Sequence, residues 1–369
     1  MKPNKMTIGG LCSGVGGIEL GFRKAGFDIA WANDMDKNAM VTYESIIGKN
    51  HYIGGQAIRL EDIITNRKLS PMLTKVDVLA AGFPCQAFSV AGYRKGFDDE
   101  RGNVFFKICD VIRFLKNNRG APKVLFLENV KNFKGHDKGN TYNVVKETLE
   151  SLNYSVYTKI LNTSHYTRIP QNRERTFMVC FYGEKSWKQY QLDEIDESLF
   201  SDSELSKAKK ICPATFHYHE NFNKIKKPEK ESIWKYLRKA VEVDDKYFYT
   251  KEKYPRAFTL LDEAVEKKNT LYQYRRVYVR ENKSNECPTL TANMGTGGHN
   301  VPIVLVNKKN KRYRKLTPEE CFQFQGYGNV NLPKNVANGQ LYKQAGNSVT
   351  VPLVKKLSSL IYKSLKQIN

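Results

Sequence analysis

A single cysteine directly after an apolar run is the first candidate for chemistry in this chain. Cys85 lies in the segment Gly82-Phe83-Pro84-Cys85-Gln86-Ala87-Phe88-Ser89, which follows the run 76–81, apolar apart from Asp77. A short apolar run is typical of a strand buried on both faces, and ligands collect where such strands end. A thiol at that place is accessible, as a nucleophile has to be. The context therefore predicts covalent chemistry at Cys85 rather than an inert core thiol.

A glycine-rich turn near the N-terminus indicates a site for a nucleoside cofactor. The turn, Leu11-Cys12-Ser13-Gly14-Val15-Gly16-Gly17, joins a predicted strand to a predicted helix. Glycines let the backbone approach a ligand, and a helix start offers free N–H groups. Asp34 follows a second predicted strand, at the spacing that places a carboxylate on a ribose diol. The pair fits NAD and S-adenosylmethionine equally well, and Asp36 is a candidate helix cap.

The charge balance predicts a polyanionic partner. The 369 residues include 60 lysines and arginines against 38 aspartates and glutamates, a net charge of +22. Nucleic acid is the simplest partner of this kind, and a lysine-rich surface without a partner is the alternative. An apolar content of 40% is enough for a packed core, which excludes wholesale disorder.

Cysteine spacing and hydropathy argue against metal, disulfide and membrane classes. The seven cysteines are scattered singly, without the paired spacing of a zinc site or a disulfide framework. His217 and His219 have no further metal-binding residues at suitable spacing and are expected to be surface residues. No run of about 18 apolar residues is present, and the basic N-terminus lacks an apolar signal region. We therefore expect a cytoplasmic protein without a metal or a membrane contact.

Strands and helices alternate through the first half of the sequence, which predicts an α/β fold with a parallel sheet covered by helices on both faces. The predicted strands are 6–12, 28–32, 76–81, 124–127, 155–161 and 176–181. The predicted helices between them are 18–25, 36–47, 104–117 and 141–152.

The character of the chain changes after Gly183. Lysine, tyrosine and asparagine dominate with weak periodicity to about residue 288, and regular patterns return near 301–306 and in a helix at 351–365. We therefore predict a first catalytic segment at 1–183, an inserted domain at 184–300, and a return segment at 301–369 that completes the catalytic domain.

Five sequence blocks, in order along the chain, resemble those of bacterial-type DNA (cytosine-5)-methyltransferases. The segment around Cys85 is the first. The others are Glu128-Asn129-Val130, Gln171-Asn172-Arg173-Glu174-Arg175, the segment 314–327, and Gln344-Ala345-Gly346-Asn347-Ser348-Val349. The resemblance covers residues 6–183 and 288–360. It implies a Rossmann-like S-adenosylmethionine-dependent methyltransferase domain with a parallel-rich sheet, plus a smaller, irregular target-recognition domain.

The resemblance also implies covalent catalysis on cytosine. C5 of this ring is a poor nucleophile until a thiolate adds at C6, and Cys85 is implied as that thiolate. Glu128 is implied as the carboxyl at N3 and the exocyclic amine. Arg173 and Arg175 are implied to donate to the cytosine O2 and to help hold the cysteine loop. Because stacking covers C6 in a duplex, the base has to be flipped out.

By the same resemblance the cofactor is S-adenosylmethionine and the product S-adenosylhomocysteine, with no metal. The implied binding residues are the turn Leu11 to Gly17, Asp34 at the ribose, Met35 against the adenine, Asp62 and Ile63 at the adenine amino group, and Asn347, Ser348 and Val349 at the methionine end. Two positions depart from the family pattern. Cys12 stands where phenylalanine is usual, which leaves the aromatic wall against the adenine in question, and Gly10 stands where an acidic residue is usual.

Two segments are predicted to contact DNA. Gln86, Ser89 and Arg101 belong to a basic, glycine-containing loop that is expected to close over the substrate. In the inserted region, Arg275 and Arg276 are interleaved with tyrosines, a pattern that contacts phosphates and bases. The alternative is an alternating strand whose tyrosines pack inward. Thr289, in a segment that resembles the family, is implied to touch the backbone of the flipped nucleotide.

The expected function is site-specific methylation of cytosine C5 in double-stranded DNA, either within a restriction–modification system whose cognate endonuclease acts on the same site or as a solitary methylase. Since one flipped base needs one active site, we expect a monomer, located in the bacterial cytoplasm at the nucleoid. Two alternatives stay open: a cytosine-5 methyltransferase acting on tRNA or other RNA, and a catalytically silent DNA-binding relative. The recognised sequence cannot be deduced from these residues.

Overall fold

Helices and strands alternate in the first half of the molecule, and short strands dominate the second. The structure, a computed structural model, describes residues 5–84, 103–183, 202–296 and 300–368. The elements in chain order are β1 Thr7–Leu11, α1 Gly17–Arg23, β2 Asp28–Ala32, α2 Lys37–Ile46, α3 Leu60–Thr65, β3 Val78–Gly82, α4 Asn103–Asn118, β4 Val124–Val130, α5 Asn140–Ser151, β5 Tyr154–Asn162, α6 Thr163–Tyr166, β6 Glu174–Tyr182, α7 Asp202–Ile211, α8 Pro213–Asn223, β7 Phe248–Tyr249, α9 Pro255–Ala264, β8 Tyr272–Tyr274, β9 Val279–Glu281, β10 Val301–Asn307, β11 Arg312–Lys315, α10 Pro318–Phe324, α11 Asn338–Asn347 and α12 Val351–Ile368.

The first sheet has the strand order β2-β1-β3-β4-β6-β5, and its pairs among β1, β2, β3 and β4 are parallel. This confirms the predicted mixed α/β fold with a mostly parallel sheet. β6 runs antiparallel to both of its neighbours, so the sheet is parallel-rich, as predicted, and not parallel throughout. The connection 163–173 between β5 and β6 holds only the one-turn helix α6. A connection this short cannot make a parallel crossover.

Helices cover both faces of this sheet. On one face, Phe22 of α1 packs with Phe126 of β4 and with Leu357 of α12. On the other face, Leu125 and Leu127 of β4 pack against α4 and α5. Alternate residues of β4 therefore enter two different cores, which is why its first part, 124–127, is continuously apolar.

The second sheet has the order β7-β11-β10-β8-β9, with antiparallel pairs. β10 pairs with β8, so the predicted boundary at residue 300 falls between two strands of one sheet. Helix α8, within the predicted inserted domain, packs on the first sheet through Tyr218 and Phe222. We propose that the second domain extends to Lys315 and that α8 belongs with the catalytic domain.

A buried arginine joins three segments that are distant in sequence. Arg173, just before β6, is 1% exposed. Its Nη1 donates to the carbonyl of Leu290 at 2.8 Å, and its Nη2 donates to the carbonyls of Gly346, at 3.0 Å, and Ser348. Main-chain bonds support the junction, since the Cys287 N–H donates to the carbonyl of Pro170 at 2.6 Å. The guanidinium thus holds 287–290 and 346–348 against the edge of the first sheet.

Replacing Arg173 with methionine is expected to lower the free energy of unfolding by about 3 kcal/mol or more, because three buried carbonyls lose their donors together. Urea denaturation at neutral pH measures the change. Arg168→Met is the matched control, since that side chain is exposed five positions away. A loss at Arg173 no larger than the loss at Arg168 would contradict the role assigned to the guanidinium.

Candidate active site

A cavity of about 560 Å³ opens where the parallel strands of the first sheet end. Open α/β sheets bind ligands at this edge. The sequence brings distant segments together there, because β1, β2, β3 and β4 all end on the same side. The lining residues come from 12–18, 33–36, 39, 58–61, 82–84, 104–107, 128–130, 175 and 343–349.

The glycine turn forms one wall of the cavity. Its N–H group at Ser13 donates to the carbonyl of Asn33 at 2.9 Å, which fixes the turn to the end of β2. Gly16 has φ = +79° and immediately precedes α1, and a Cβ there would lie 2.5 Å from Ile47 and 2.8 Å from Tyr43. Only glycine fits both the backbone conformation and the space. Ser13, Gly14, Val15 and Gly17 line the cavity, whereas Leu11 is buried in the core beneath them.

Asp34 organises the facing wall. Its Oδ2 accepts from the N–H of Gly14 at 2.8 Å, and its Oδ1 accepts from the N–H of Asp36 at 2.9 Å. Burial raises the pKa of Asp34, and these two hydrogen bonds oppose that change. Met35 beside it lines the cavity and is 66% exposed, as a platform for an apolar ring would be. Asp36 caps α2 by accepting from the N–H groups of Asn38 and Ala39, which confirms its candidate role as a helix cap.

The structure places neither Asp62 nor Ile63 in the lining of the cavity, so their role at the adenine stays a prediction. Asp62 is exposed on α3 and does not line the cavity, and Ile63 is fully buried in the core. Glu61 does line the cavity, but its carboxylate is paired with Lys107 at 2.8 Å. The segment beside Asp34 is instead centred on Ile58, whose N–H donates to the carbonyl of Asp34 at 3.0 Å. Sequence reasoning missed Ile58 because an isolated apolar residue in a loop carries no signal.

The segment after α11 closes the cavity from a third side. Asn347, Ser348 and Val349 all line it, as predicted for the methionine end. The hydroxyl groups of Ser348 and Tyr327 are 2.6 Å apart and share a hydrogen bond. Cys12, the position that departs from the family's phenylalanine, also lines the cavity. Its thiol gives no aromatic surface, whereas Met35 and Ile58 contribute apolar side chains to the lining.

Glu128 and Arg175 lie together at the far end of the cavity. Arg175 Nε is 3.2 Å from Glu128 Oε1, and both side chains line the cavity. The pair forms because β4 and β6 are adjacent strands. Burial raises the pKa of Glu128, while the nearby charges of Arg175 and Arg173 lower it. The carboxyl group is therefore held where it can keep or share a proton.

The structure separates the two arginines that the sequence groups together. Arg173 does not line the cavity, and its Nη atoms are bonded to main-chain carbonyls. Donation to a substrate base from there would break these bonds, so we propose a positioning role for Arg173 in place of the substrate contact that the resemblance implied. Two arginines alternating along a strand point to one face only while the strand is regular, and Arg173 lies just before β6 begins.

Cys85, Gln86, Ser89 and Arg101 lie outside the described residues. The chain that leads to them is described as far as Pro84, which lines the cavity with Phe83. Gly82 pairs with Glu128 in the register of β3 and β4, and the Asn129 amide donates to the carbonyl of Phe83 at 3.0 Å. The described chain therefore leaves β3 at the level of Glu128 and continues to Pro84.

Of the remaining predicted DNA contacts, Arg275 and Arg276 lie in the turn between β8 and β9. Arg276 is exposed, with φ = +66°, and the Arg275 guanidinium lies 6.0 Å from the Tyr278 ring centroid. The alternative for the tyrosines is confirmed, since Tyr272 and Tyr274 are buried. Thr289 is half-buried, and its hydroxyl donates to the carbonyl of Asn172 at 2.5 Å, next to the Arg173 junction.

The described residues contain neither a metal-binding group nor a membrane-spanning helix. Across residues 5–84, 103–183, 202–296 and 300–368, no group of three histidine, cysteine or acidic side chains is placed to hold a metal ion. Within the same ranges, the helices are too short or too polar to span a bilayer. His219 is buried rather than on the surface.

Unpartnered buried polar atoms face the cavity. Ser13 Oγ and Gln344 Nε2 are buried without a hydrogen-bond partner among the described residues, and so is Glu128 Oε1, whose contact with Arg175 is an ion pair. Buried polar groups in folded proteins are normally satisfied. Donors and acceptors of this kind, with the backbone cradle at Gly14 and the carboxylate of Asp34, fit a polar nucleoside ligand such as S-adenosylmethionine.

Residues 6–363 match the sequence model of the family described as C-5 cytosine-specific DNA methylase. The chain belongs to this family. Family membership confirms the resemblance drawn from the five blocks and implies the use of S-adenosylmethionine.

Individual relatives agree with this assignment. The chain is 43% identical over 363 residues to the Type II methyltransferase M.Bsp6I of Bacillus sp. (strain RFL6), with 98% of this chain and 99% of the relative covered. It is 32% identical to the Type II methyltransferase M.HhaI of Haemophilus parahaemolyticus, over 96% of this chain and 94% of the relative. Among solved structures, the S. pombe Dnmt2 methyltransferase superposes with a TM-score of 0.68 at 18% identity, over 98% and 99% of the two chains. This last likeness supports the Rossmann-like methyltransferase fold.

The position of Asp34 in the cavity and of Asp62 outside it can be tested by measuring ligand binding. Asp34→Asn is expected to weaken binding of S-adenosylhomocysteine about tenfold or more, because a charged acceptor is lost from the cavity. Asp62→Asn is expected to leave the dissociation constant within about twofold, because that carboxylate is exposed away from the cavity. Isothermal titration calorimetry measures the dissociation constants of both variants. An equal loss of affinity in the two would support Asp62 as a cofactor contact.

Proposed function

We propose that this protein transfers a methyl group from S-adenosylmethionine to C5 of a flipped-out cytosine in double-stranded DNA, through a covalent bond between Cys85 and C6. The observation that carries the proposal is the Glu128–Arg175 pair at 3.2 Å in the cavity that also contains the glycine turn and Asp34. A cofactor wall and an acid–base pair therefore share one space, as methyl transfer to a base requires.

The cofactor supplies an electrophilic methyl group, and the protein has to make C5 nucleophilic. The Cys85 thiolate would add to C6, which breaks the aromaticity and moves the electron pair of the C5–C6 double bond toward C5 and the N3 end of the ring. C5 then takes the methyl group. Loss of the C5 proton and expulsion of the Cys85 thiolate restore the double bond and free the enzyme.

Glu128 would relieve the charge that develops at N3 by donating or sharing its proton. Its raised pKa, caused by burial, favours the protonated form needed for that role. Arg175 is restrained by the bond from its Nη1 to the carbonyl of Glu174 at 2.8 Å. Its charge lies beside Glu128 and would stabilise negative charge on the carboxylate or on the base. Arg173 would act indirectly, by keeping the segment 346–348 in place.

A duplex substrate is favoured by the charge of the chain and by the exposed turn between β8 and β9. The net charge of +22 matches a polyanion. Arg276 is exposed on the turn together with Val277 and Tyr278. This turn would contact DNA while the target base enters the cavity.

The names of the relatives support a role in restriction–modification. M.Bsp6I and M.HhaI are both named as Type II methyltransferases. We infer that the protein protects sites cut by a cognate endonuclease, and that it acts as a monomer on DNA in the bacterial cytoplasm.

The first test replaces Cys85 with serine. Transfer of tritiated methyl groups to long unmethylated DNA is expected to fall to background, because a serine hydroxyl does not supply a thiolate at neutral pH. Bisulfite sequencing of the wild-type product is expected to show methylated cytosine in one short sequence context. Cys109→Ala, in a fully buried core thiol, is expected to retain activity. Transfer to tRNA instead of DNA would favour the RNA alternative, and an unimpaired Cys85→Ser variant would refute the covalent mechanism.

The second test is the pH dependence of turnover. A carboxyl group with a raised pKa is protonated below that value, so kcat is expected to fall as the pH rises through it. Deprotonation of Cys85 gives the rising limb of a bell-shaped profile. Glu128→Gln is expected to lower kcat about 10²–10⁴-fold and to remove the falling limb. Measurement of kcat from pH 5.5 to 9 at saturating substrates checks both expectations. If Glu128→Gln kept the same falling limb, that limb would have to be assigned to another group.

A further inference from the structure

A buried carboxyl group lies beneath the glycine turn and has no role in the mechanism above. Glu19, in the first turn of α1, is 1% exposed. Its Oε2 has no hydrogen-bond partner among the described residues. A buried, unpaired carboxylate is costly to a fold, so a function is the natural reason for keeping one.

The carboxyl group occupies the space of a missing side chain. A Cβ built on Gly10 would lie 1.9 Å from Glu19 Oε1 and 2.7 Å from Ser13 Oγ. The two oxygens therefore approach one point at the end of β1, directly behind the glycine turn. Glycine at position 10 is what allows Glu19 to reach the turn.

Ser13 connects this buried group to the cavity. Ser13 lines the cavity, and its buried Oγ approaches the Glu19 carboxyl without a further hydrogen-bond partner among the described residues. When Glu19 is ionised it can only accept, so the Ser13 hydroxyl turns its proton toward Glu19 and leaves its lone pairs for a donor in the cavity. When Glu19 is protonated it can donate to Ser13 Oγ, and the serine proton then points to an acceptor. The charge on Glu19 thus decides what Ser13 offers to a ligand.

We propose that ionised Glu19, acting through Ser13, selects and positions the ammonium group of the cofactor's methionine part. This inference rests on the proposed function, which places S-adenosylmethionine in the cavity. A cation at Ser13 would be attracted by the buried negative charge, and attraction is strong where water is excluded. Glu19 is a positioning residue in this scheme.

The charge state of Glu19 changes within the physiological pH range. Burial raises its pKa to about 7, although Ser13 and Arg23 lower it. The ionisable groups facing it are Arg23 on the same helix, Cys12 on the turn, Asp34, Tyr43 on α2, Tyr52 and Tyr327. Burial raises the pKa of each of the three tyrosines and of Cys12, so these groups stay neutral. Arg23 donates to the carbonyl of Ile47 and contacts His51, whose pKa is lowered by burial and by Arg23.

The test compares two ligands by calorimetry between pH 6 and pH 8.5. S-adenosylhomocysteine carries the ammonium group, and 5′-methylthioadenosine shares the adenosine but lacks the amino-acid part. The wild-type dissociation constant for S-adenosylhomocysteine is expected to rise about tenfold from pH 8 to pH 6, as one ionisation is lost. The dissociation constant for 5′-methylthioadenosine is expected to change far less. Because this ligand lacks the ammonium group, its change measures the contribution of Asp34, which is subtracted from the change for S-adenosylhomocysteine.

Glu19→Gln is expected to bind S-adenosylhomocysteine about tenfold more weakly than wild type at pH 8, with no remaining difference in pH dependence between the two ligands. Equal affinity of the variant and the wild type at pH 8 would overturn the proposal, as would an equal loss for 5′-methylthioadenosine. Failure of the wild type to bind S-adenosylhomocysteine at any pH would instead refute the cofactor assignment itself, and this inference with it.

Thermal unfolding of the ligand-free proteins separates positioning from a structural role. A carboxyl group with a raised pKa contributes stability at low pH that is lost as the pH rises through 7. Glu19→Gln is therefore expected to melt at a higher temperature than wild type at pH 8 and at a similar temperature at pH 5. A variant that melts lower at both pH values would show that Glu19 serves the fold rather than the ligand.

Discussion

The guanidinium of Arg173 is the interaction on which the site depends most. Through carbonyls of Leu290, Gly346 and Ser348, it joins the edge of the first sheet to the segment after β9 and to the last wall of the cavity. A neutral side chain could fill the same volume, but it could not satisfy three carbonyls that are closed to water. Because the donor is charged and planar, it fixes both the distance and the angle between these segments. The cavity keeps its shape only while this junction is intact.

Burial then gives the cavity its chemistry. Asp34, Glu128 and Glu19 all have pKa values raised by loss of water, and each is only partly compensated by neighbours. In a solvated cleft the same carboxyls would be ordinary anions with similar properties. Here their surroundings differ, since Asp34 accepts two backbone hydrogen bonds, Glu128 pairs with Arg175, and Glu19 interacts with the Ser13 hydroxyl and the charge of Arg23. The ends of the parallel strands exclude water from the carboxyl groups, and the neighbouring side chains give each carboxyl group different acid–base properties.

Sequence reasoning located the site well wherever the signal was local. The alternation of strands and helices placed the glycine turn, Asp34 and Glu128 at one edge, and the structure brings them together. It was less informative where the outcome depended on the direction of a side chain. Asp62 is next to a residue that lines the cavity, but one step along α3 turns a side chain by about 100° toward solvent. Glu19 could not be foreseen, since its role depends on a missing side chain at Gly10 in another element.

The composition of the cavity also constrains the order in which the protein folds. Its walls combine the glycine turn with the segment 343–349, and Thr42 is bonded directly to Gln344, 302 positions later. Contacts between such distant segments form late, because a long loop must close before they contribute any stability. During synthesis on the ribosome, the first sheet can pair its opening strands while the third wall of the cavity is still untranslated. Ligand binding is therefore a property of the finished chain, and a truncated product would not compete for the cofactor.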